Sequence, residues 1–310
     1  MTQTKKAYAA AILYTCIIGF SFMFVKLTFT ITGPLDTLAH RFTVSFLTAS
    51  IPVLFGFIKL NITFKNMLSI LPVAILYPAL FFTFQAFGLV YTSSSEAGII
   101  QATIPIFTMV CASYFLKERT TIWQKFSLLL SVSGVIYIFA MKGLGDHTTS
   151  FIGVILILLS ALSSAGYNVL ARKMTKQFRL IDVTYMMTVI GFVCFQTLSI
   201  GNHIATGTMH LYFQPFTSSL FVISILYLGI LSSLLTAFLS NYTLSIVEAS
   251  KMSVFSNVST LITLFAGVIF LQEEIAYYHI IGAIMIILGV LGTNFLDEKY
   301  VSSKKKNVNV

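Results

Sequence analysis

Five stretches of this chain carry polar side chains at helical spacing inside otherwise apolar sequence. Ser232, Thr236, Ser240 and Thr243 follow at steps of four, four and three, which stacks them on one helix face. Ser253, Asn257 and Thr260 repeat the pattern, with Gly267 further along. Gly98, Gln101, Pro105 and Thr108 form a third row, Tyr77, Phe81, Gln85 and Gly88 a fourth, and Ser160, Ser164 and Tyr167 a fifth. Hydroxyls and amides donate and accept hydrogen bonds without carrying net charge. Such rows can replace water around a neutral or zwitterionic solute, while the rings meet its apolar part. They are not a set for covalent chemistry. The sequence has no HExxH, GxSxG, CxxC or P-loop pattern. His40, His147, His203, His210 and His279 fall at the ends of apolar runs or in the polar segments between them, and no two share a metal-ligand spacing on one helix. No catalytic residue, metal ligand or cofactor is expected, and the chain reads as a non-enzyme. Cys16, Cys111 and Cys194 sit inside apolar runs and read as small buried hydrophobes.

Each row has a bland use beside the chemical one. A Ser or Thr hydroxyl can bond the carbonyl four residues back and serve helix packing. An amide is harder to satisfy locally, so Gln85, Gln101, Asn241 and Asn257 are assigned to a water-accessible cavity. Phe81 shares a face with Tyr77 and Gln85, which selects it over Phe82, although aromatic packing is the competing use. Three charged residues are candidates for gating or electrostatic roles. Lys26 can instead snorkel to the membrane interface. Arg41 lies seven residues beyond Pro34, roughly 10 Å along a helix at 1.5 Å per residue. It can hold structure, reaching water or Asp36, or attract an anionic group. Glu96 opens a helix, where a carboxylate suits the dipole; capping competes with a proton-linked role. Glu118 and Glu273 read as turn-stabilising.

These residues need elements that hold them at membrane depth, and the composition supplies such elements. Of 310 residues, 57% are hydrophobic and only 9% charged, with 29 Phe and 14 Tyr. A soluble globular chain carries about 25% charged residues. So little charge cannot clothe a water-facing surface, which excludes a soluble enzyme, a nucleic-acid binder and a disordered protein. About 20 apolar residues cross the hydrocarbon layer as a helix. Ten stretches qualify: 7–29, 34–57, 67–91, 97–116, 122–141, 151–170, 181–200, 217–244, 252–271 and 275–296. The longest loop, 201–216, is polar and holds His203, His210 and Pro215. The first stretch is taken as a retained helix, since no small-residue cleavage site follows it.

With the N-terminus placed in the cytoplasm, inside segments hold 16 of the 19 Lys and Arg, and outside loops hold only Lys142. That asymmetry orients the chain with both termini in the cytoplasm, and it accounts for the net charge of +9 without invoking nucleic acid.

At an offset of 155 residues the second half echoes the first. Phe115-Leu116-Lys117-Glu118 and Gly134-Val135 match Phe270-Leu271-Gln272-Glu273 and Gly289-Val290, while Ser93–Ala97 aligns with Glu248–Met252. Five spans per half is an odd number, so the second copy enters the membrane inverted. The expected fold is an all-α integral membrane protein with ten transmembrane helices in two inverted five-helix repeats. The units are residues 1–145, 146–300 and a basic cytoplasmic tail, 301–310. Inverted repeats suit alternating access to a midplane site.

The run Gly19-Phe20-Ser21-Phe22 leading to Lys26, then Pro34 and Arg41, resembles the opening of the EamA-type drug/metabolite transporters. Tyr91-Thr92-Ser93-Ser94-Ser95, Pro105, Leu116-Lys117-Glu118, Ala161–Arg172, Leu271-Gln272-Glu273 and Gly289 extend the resemblance over nearly the whole chain. It departs at Thr260, where a proline is usual, at Ile18, where the relatives often carry Trp, and in lacking an acid in helix 1. The last difference argues against the cation–proton exchange of the small multidrug-resistance relatives. The resemblance implies a cavity ringed by helices 1, 3, 4, 6, 8 and 9.

Together these readings imply a cell-membrane carrier of a small organic metabolite, amino-acid-like or amphiphilic, working as an exporter. Substrate contacts are assigned to Tyr77, Phe81, Gln85, Gln101, Tyr167, Ser232, Thr236, Ser240 and Asn257. The expected partners are the solute and the lipid bilayer, with a homodimer admitted and nucleic acid not. The rival reading is a non-transporting membrane protein with a sensory, lipid-binding or assembly role.

Overall fold

The computed structural model describes residues 3–117, 121–143, 151–274, 276–278, 280–285, 288–289 and 292. Among these residues all regular elements are helices: α1 (Gln3–Phe29), α2 (Pro34–Leu54), α3 (Phe64–Tyr91), α4 (Ser94–Phe115), α5 (Ile122–Gly143), α6 (Phe151–Met174), α7 (Leu180–Thr206), α8 (Ser219–Ile246) and α9 (Ala249–Leu271). Seven of them, α1, α3, α4 and α6 to α9, are long and apolar enough to cross a membrane. The helices α2 and α5, of 21 and 22 residues, stand where the second and fifth spans are expected. Much of the tenth span, together with Glu118, His147, His279 and the 301–310 tail, lies outside the described residues.

Local sequence sets the helix ends. Pro34 starts α2 directly after Gly33, where its missing N–H costs nothing. Ser93 and Glu96 form a reciprocal capping box at the start of α4. Gly207 ends α7 in the left-handed region, with φ 69° and ψ 18°. That stop comes later than the polar sequence suggests. His203 therefore lies within α7, correcting its assignment to a loop: polar residues do not end a helix until one can adopt the reversing conformation.

Three helices depart from regularity at mid-length. A π segment interrupts α3 over Ile75–Leu80, with Tyr77 at φ −145° and ψ 111°. Another runs through Tyr227–Leu235 of α8. Moved by 155 residues, the first segment falls at 230–235, inside the second. α4 breaks at Ala102–Thr103, just before Pro105, whereas α9 runs unbroken through Thr260. The proline removes a donor and clashes with the preceding turn; threonine does neither. Thr260 instead donates its hydroxyl to the Gly98 carbonyl of α4 at 2.8 Å.

Packing repeats between the halves. α1 lies on α9 and α8, as α6 lies on α4 and α3. α2 meets α8 as α7 meets α3, while α2 meets α7 and α4 meets α9. Exchanging the halves leaves this pattern unchanged. Small residues allow the closest approaches: a Cβ on Gly229 of α8 would stand 2.8 Å from the Arg41 carbonyl oxygen of α2. Leu54, Phe57, Phe115, Phe151 and Phe270 project from the outer surface, where hydrocarbon rather than water suits them.

Candidate functional site

The widened turns of α3 and α8 bring their polar faces toward α2 and α6, and six predicted substrate residues meet there: Tyr77, Phe81, Tyr167, Ser232, Thr236 and Ser240. The rings of Tyr77 and Tyr167 stack with centroids 4.7 Å apart. Phe81 lies 4.8 Å from Tyr77, and Phe82 lies 5.0 Å from it. The Tyr167 hydroxyl donates to Ser240 Oγ at 3.1 Å and to Asn241 Oδ1 at 3.0 Å. Asn241 passes the chain on, donating from Nδ2 to Thr184 Oγ1 at 3.0 Å. Tyr77 Oη lies beside Thr236, whose hydroxyl is committed to the Ser232 carbonyl at 2.8 Å. Among the described residues no hydrogen bond of normal geometry reaches Tyr77 Oη, although the ring is buried. A buried phenol without a partner costs about 1–3 kcal/mol, so this atom stands ready for a polar group.

Arg41 borders the cluster with its guanidinium wholly enclosed, at 1% exposure. Nε donates to Ser233 Oγ at 2.6 Å, and Nη2 donates to the oxygens of Ser232, Oγ at 2.9 Å and the carbonyl at 3.0 Å. Its other face lies 4.1 Å above the Phe82 ring. Asp36, offered as its partner on sequence grounds, is engaged elsewhere. It accepts from Ser199 at 2.6 Å and Thr32 at 3.0 Å, and it pairs with His203 Nε2 at 3.0 Å. The α2–α7 joint made by Asp36 and His203 was missed in the sequence because 167 residues separate the two. Next to it, Tyr212 donates to Gln196 Oε1 at 2.7 Å; burial pushes its phenol above the usual range, and the hydrogen bond opposes the rise.

The remaining predicted residues lie apart from the stacked tyrosines. Gln85 is buried on α3, and its side chain makes no hydrogen bond among the described residues. Gln101, at the break in α4, donates to Ser160 Oγ of α6 at 3.1 Å. Asn257 donates through Nδ2 to Ser131 Oγ of α5, while its buried Oδ1 has no hydrogen-bond partner among the described residues. Glu96 accepts from the Ser93 amide at 2.7 Å, so capping is one use of its carboxylate. Glu273 acts on the same helix end, accepting from the amides of Ser94 at 3.0 Å and Ser95 at 3.1 Å. Half-buried Lys26 donates to the Leu89 carbonyl at 2.5 Å. This contact joins the last turns of α1 and α3. At the opposite end Arg172 joins the last turns of α6 and α8, donating to the Leu244 carbonyl at 2.5 Å. Among the described residues no group of three His, Cys, Asp or Glu side chains is arranged to hold a metal.

Comparison with known proteins supplies context for this geometry. The EamA-like transporter family matches twice, over residues 5–140 and 151–295. An uncharacterized transporter of Bacillus subtilis, YcxC, is 58% identical over 297 residues, covering 96% of this chain and 95% of its own. An uncharacterized transporter of Archaeoglobus fulgidus is 23% identical, covering 88% and 92%. A solved crystal structure superposes with a TM-score of 0.72 at 14% identity, covering 96% of this chain and 99% of the other. That last likeness is one of fold.

Proposed function

The chain belongs to the EamA-like transporter family, and from that premise we propose a ten-span carrier that exports a small neutral or zwitterionic solute across the cell membrane by alternating access. Residues 1–145 and 146–300 are its two inverted repeats, the 301–310 tail is a basic cytoplasmic extension, and both termini face the cytoplasm. Homodimerisation is compatible with this reading and is not required by it.

One observation carries the substrate reading. The stacked pair Tyr77 and Tyr167 meets a ring of neutral hydrogen-bonding groups, Ser232, Thr236, Ser240 and Asn241, and includes a phenol hydroxyl that makes no hydrogen bond of normal geometry among the described residues. Aromatic faces suit an apolar portion of solute; hydroxyls and amides suit its polar ends. Arg41, which borders them, already donates to three oxygens, which leaves it poorly placed to offset a multiply charged phosphate.

In this reading Tyr77, Phe81, Tyr167, Ser232 and Thr236 contact solute near the midplane, with Gln85 meeting it toward the outer mouth and Ser240 toward the inner one. Gln101 and Asn257 line its approach through α4 and α9. Lys26, Arg41 and Glu96 set the charge and closure of the path. The test is flux into proteoliposomes holding the purified chain, with a panel of amino acids and amphiphilic drugs, with and without a pH gradient. Accumulation of a neutral or zwitterionic member, reduced in Tyr167→Phe, is the expected result. No flux across the panel from folded protein would favour the non-transporting reading.

A further inference from the structure

A crevice among α2, α7 and α8 has neither tyrosine of the stacked pair in its lining. It has a volume of about 520 Å³ and is lined from three helices, by Ala49 and Pro52 of α2, Ile181 and Tyr185 of α7, and Leu234 and Phe238 of α8. That size falls in the range of ligand pockets, about 300–1,000 Å³. The wall is almost wholly apolar, and most of its residues are only partly buried, so it opens sideways rather than into the centre. An apolar hollow opening onto hydrocarbon takes an apolar guest.

The rim is charged. Ile58, on the crevice wall, is followed by Lys59, and Arg179 precedes Ile181 by two residues. Both cationic residues are exposed, and Arg179 Nη1 donates to the Lys59 carbonyl at 3.0 Å, which draws the two cations together at one mouth. Lys176 stands exposed one turn before Arg179. An acyl chain lying in the crevice would emerge with its headgroup at these cations.

We propose that the α2–α7–α8 crevice is a binding site for an anionic phospholipid, with one acyl chain between Ala49, Tyr185 and Phe238 and its phosphate at Lys59 and Arg179. The cytoplasmic leaflet is the source, which rests on the orientation given above; the site itself does not depend on transport. The crevice borders the π segment of α8, since Ile230, Leu234 and Leu235 belong to both. It also includes Thr184, which accepts from Asn241. The bound chain would therefore brace the wall behind the tyrosine cluster.

The experiment uses the full chain in nanodiscs of phosphatidylcholine doped with spin-labelled phosphatidylglycerol or spin-labelled phosphatidylcholine, reading the immobilised fraction. Wild type should prefer the glycerol lipid by a factor on the order of tenfold, given about 1 kcal/mol per cation near an anionic surface. The double variant Lys59→Gln, Arg179→Gln alters exposed positions only and should bring the preference close to parity. Ala49→Leu fills the hollow and should lower immobilisation of both lipids; Ala205→Leu, an exposed position on α7, should not. Equal retention of the two lipids by wild type, or undiminished retention in the Ala49→Leu protein, overturns the proposal. Solute flux plays no part in this readout, so failure here leaves the transport reading to its own test.

Discussion

Leu89 and Leu244 stand 155 residues apart, and the main-chain carbonyl of each accepts a 2.5 Å hydrogen bond from a basic side chain, Lys26 for the first and Arg172 for the second. Each bond ties the last turn of a half's first helix to the last turn of its third. The cations are not at the same offset, being 146 residues apart. What the two halves share is the physics: a free carbonyl at a helix C-terminus, with its partial negative charge, held by a cation from the neighbouring helix.

Removing either cation should loosen one end of the bundle and leave the other closed. Thr92 and Val247, also 155 residues apart, are buried just beyond the two leucines. In a background lacking the three native cysteines, Thr92→Cys should react faster with a thiol reagent when Lys26→Met is added, and Val247→Cys should respond to Arg172→Met. A charged hydrogen bond contributes about 1.5–3 kcal/mol, so a change on the order of tenfold is expected in each case. Faster labelling at both ends from a single substitution would show that the contacts do not act separately.

Arg41 should matter more than Lys26 to the folded protein. Arg41→Ala strands the hydroxyls of Ser232 and Ser233 and removes the cation above Phe82, leaving a hollow in a closed interior. A loss of about 3 kcal/mol is expected. Lys26→Ala gives up one partly exposed charged hydrogen bond and should lose about 1.5 kcal/mol, the low end for such a bond. Chemical unfolding in detergent, followed by near-ultraviolet circular dichroism, compares the two directly. The order is wrong if Lys26→Ala proves the more damaging.

Gln85→Leu is expected to impair solute flux while leaving the monodisperse folded protein intact. The substitution keeps approximate size and removes hydrogen-bonding capacity, and the Gln85 side chain has no hydrogen bond among the described residues for the fold to lose. Flux in proteoliposomes and size-exclusion profiles are the paired measurements. Normal transport by this variant would remove Gln85 from the solute path.

Orientation is read by labelling intact cells. A cysteine placed at His210, between α7 and α8, should react with an impermeant reagent, and one at Lys176, between α6 and α7, should not. Both positions are exposed, so access to solvent does not separate them. Labelling at Lys176 in sealed cells would reverse the assignment of the two faces.

Much of the architecture is legible in the sequence because its cause is local. A run of about 20 apolar residues has one satisfactory conformation in lipid, and Pro34 and the Ser93–Glu96 pair act on helix ends from within a few residues. The break in α4 ahead of Pro105 and the continuity of α9 through Thr260 follow from single side chains in the same way. Periodicity also put Tyr77, Phe81 and Gln85 on one face. What periodicity leaves open is which helix that face meets.

That second question is answered only by tertiary packing. Tyr77 meets Tyr167 because π segments displace the mid-turns of α3 and α8, and no short motif announces such a segment. Arg41 bonds Ser232 and Ser233 rather than Asp36 because Gly229 lets α8 press against α2, while His203 and Ser199 of α7 claim the carboxylate. Gln101 and Asn257, equal in the sequence to Gln85 as buried amides, find hydroxyls on α6 and α5. Composition and the 3.6-residue repeat are properties of one segment and determine that these are membrane helices with polar stripes. The partner of a buried charge or amide depends on how two distant helices approach, and that distance is set by small residues and irregular turns acting together.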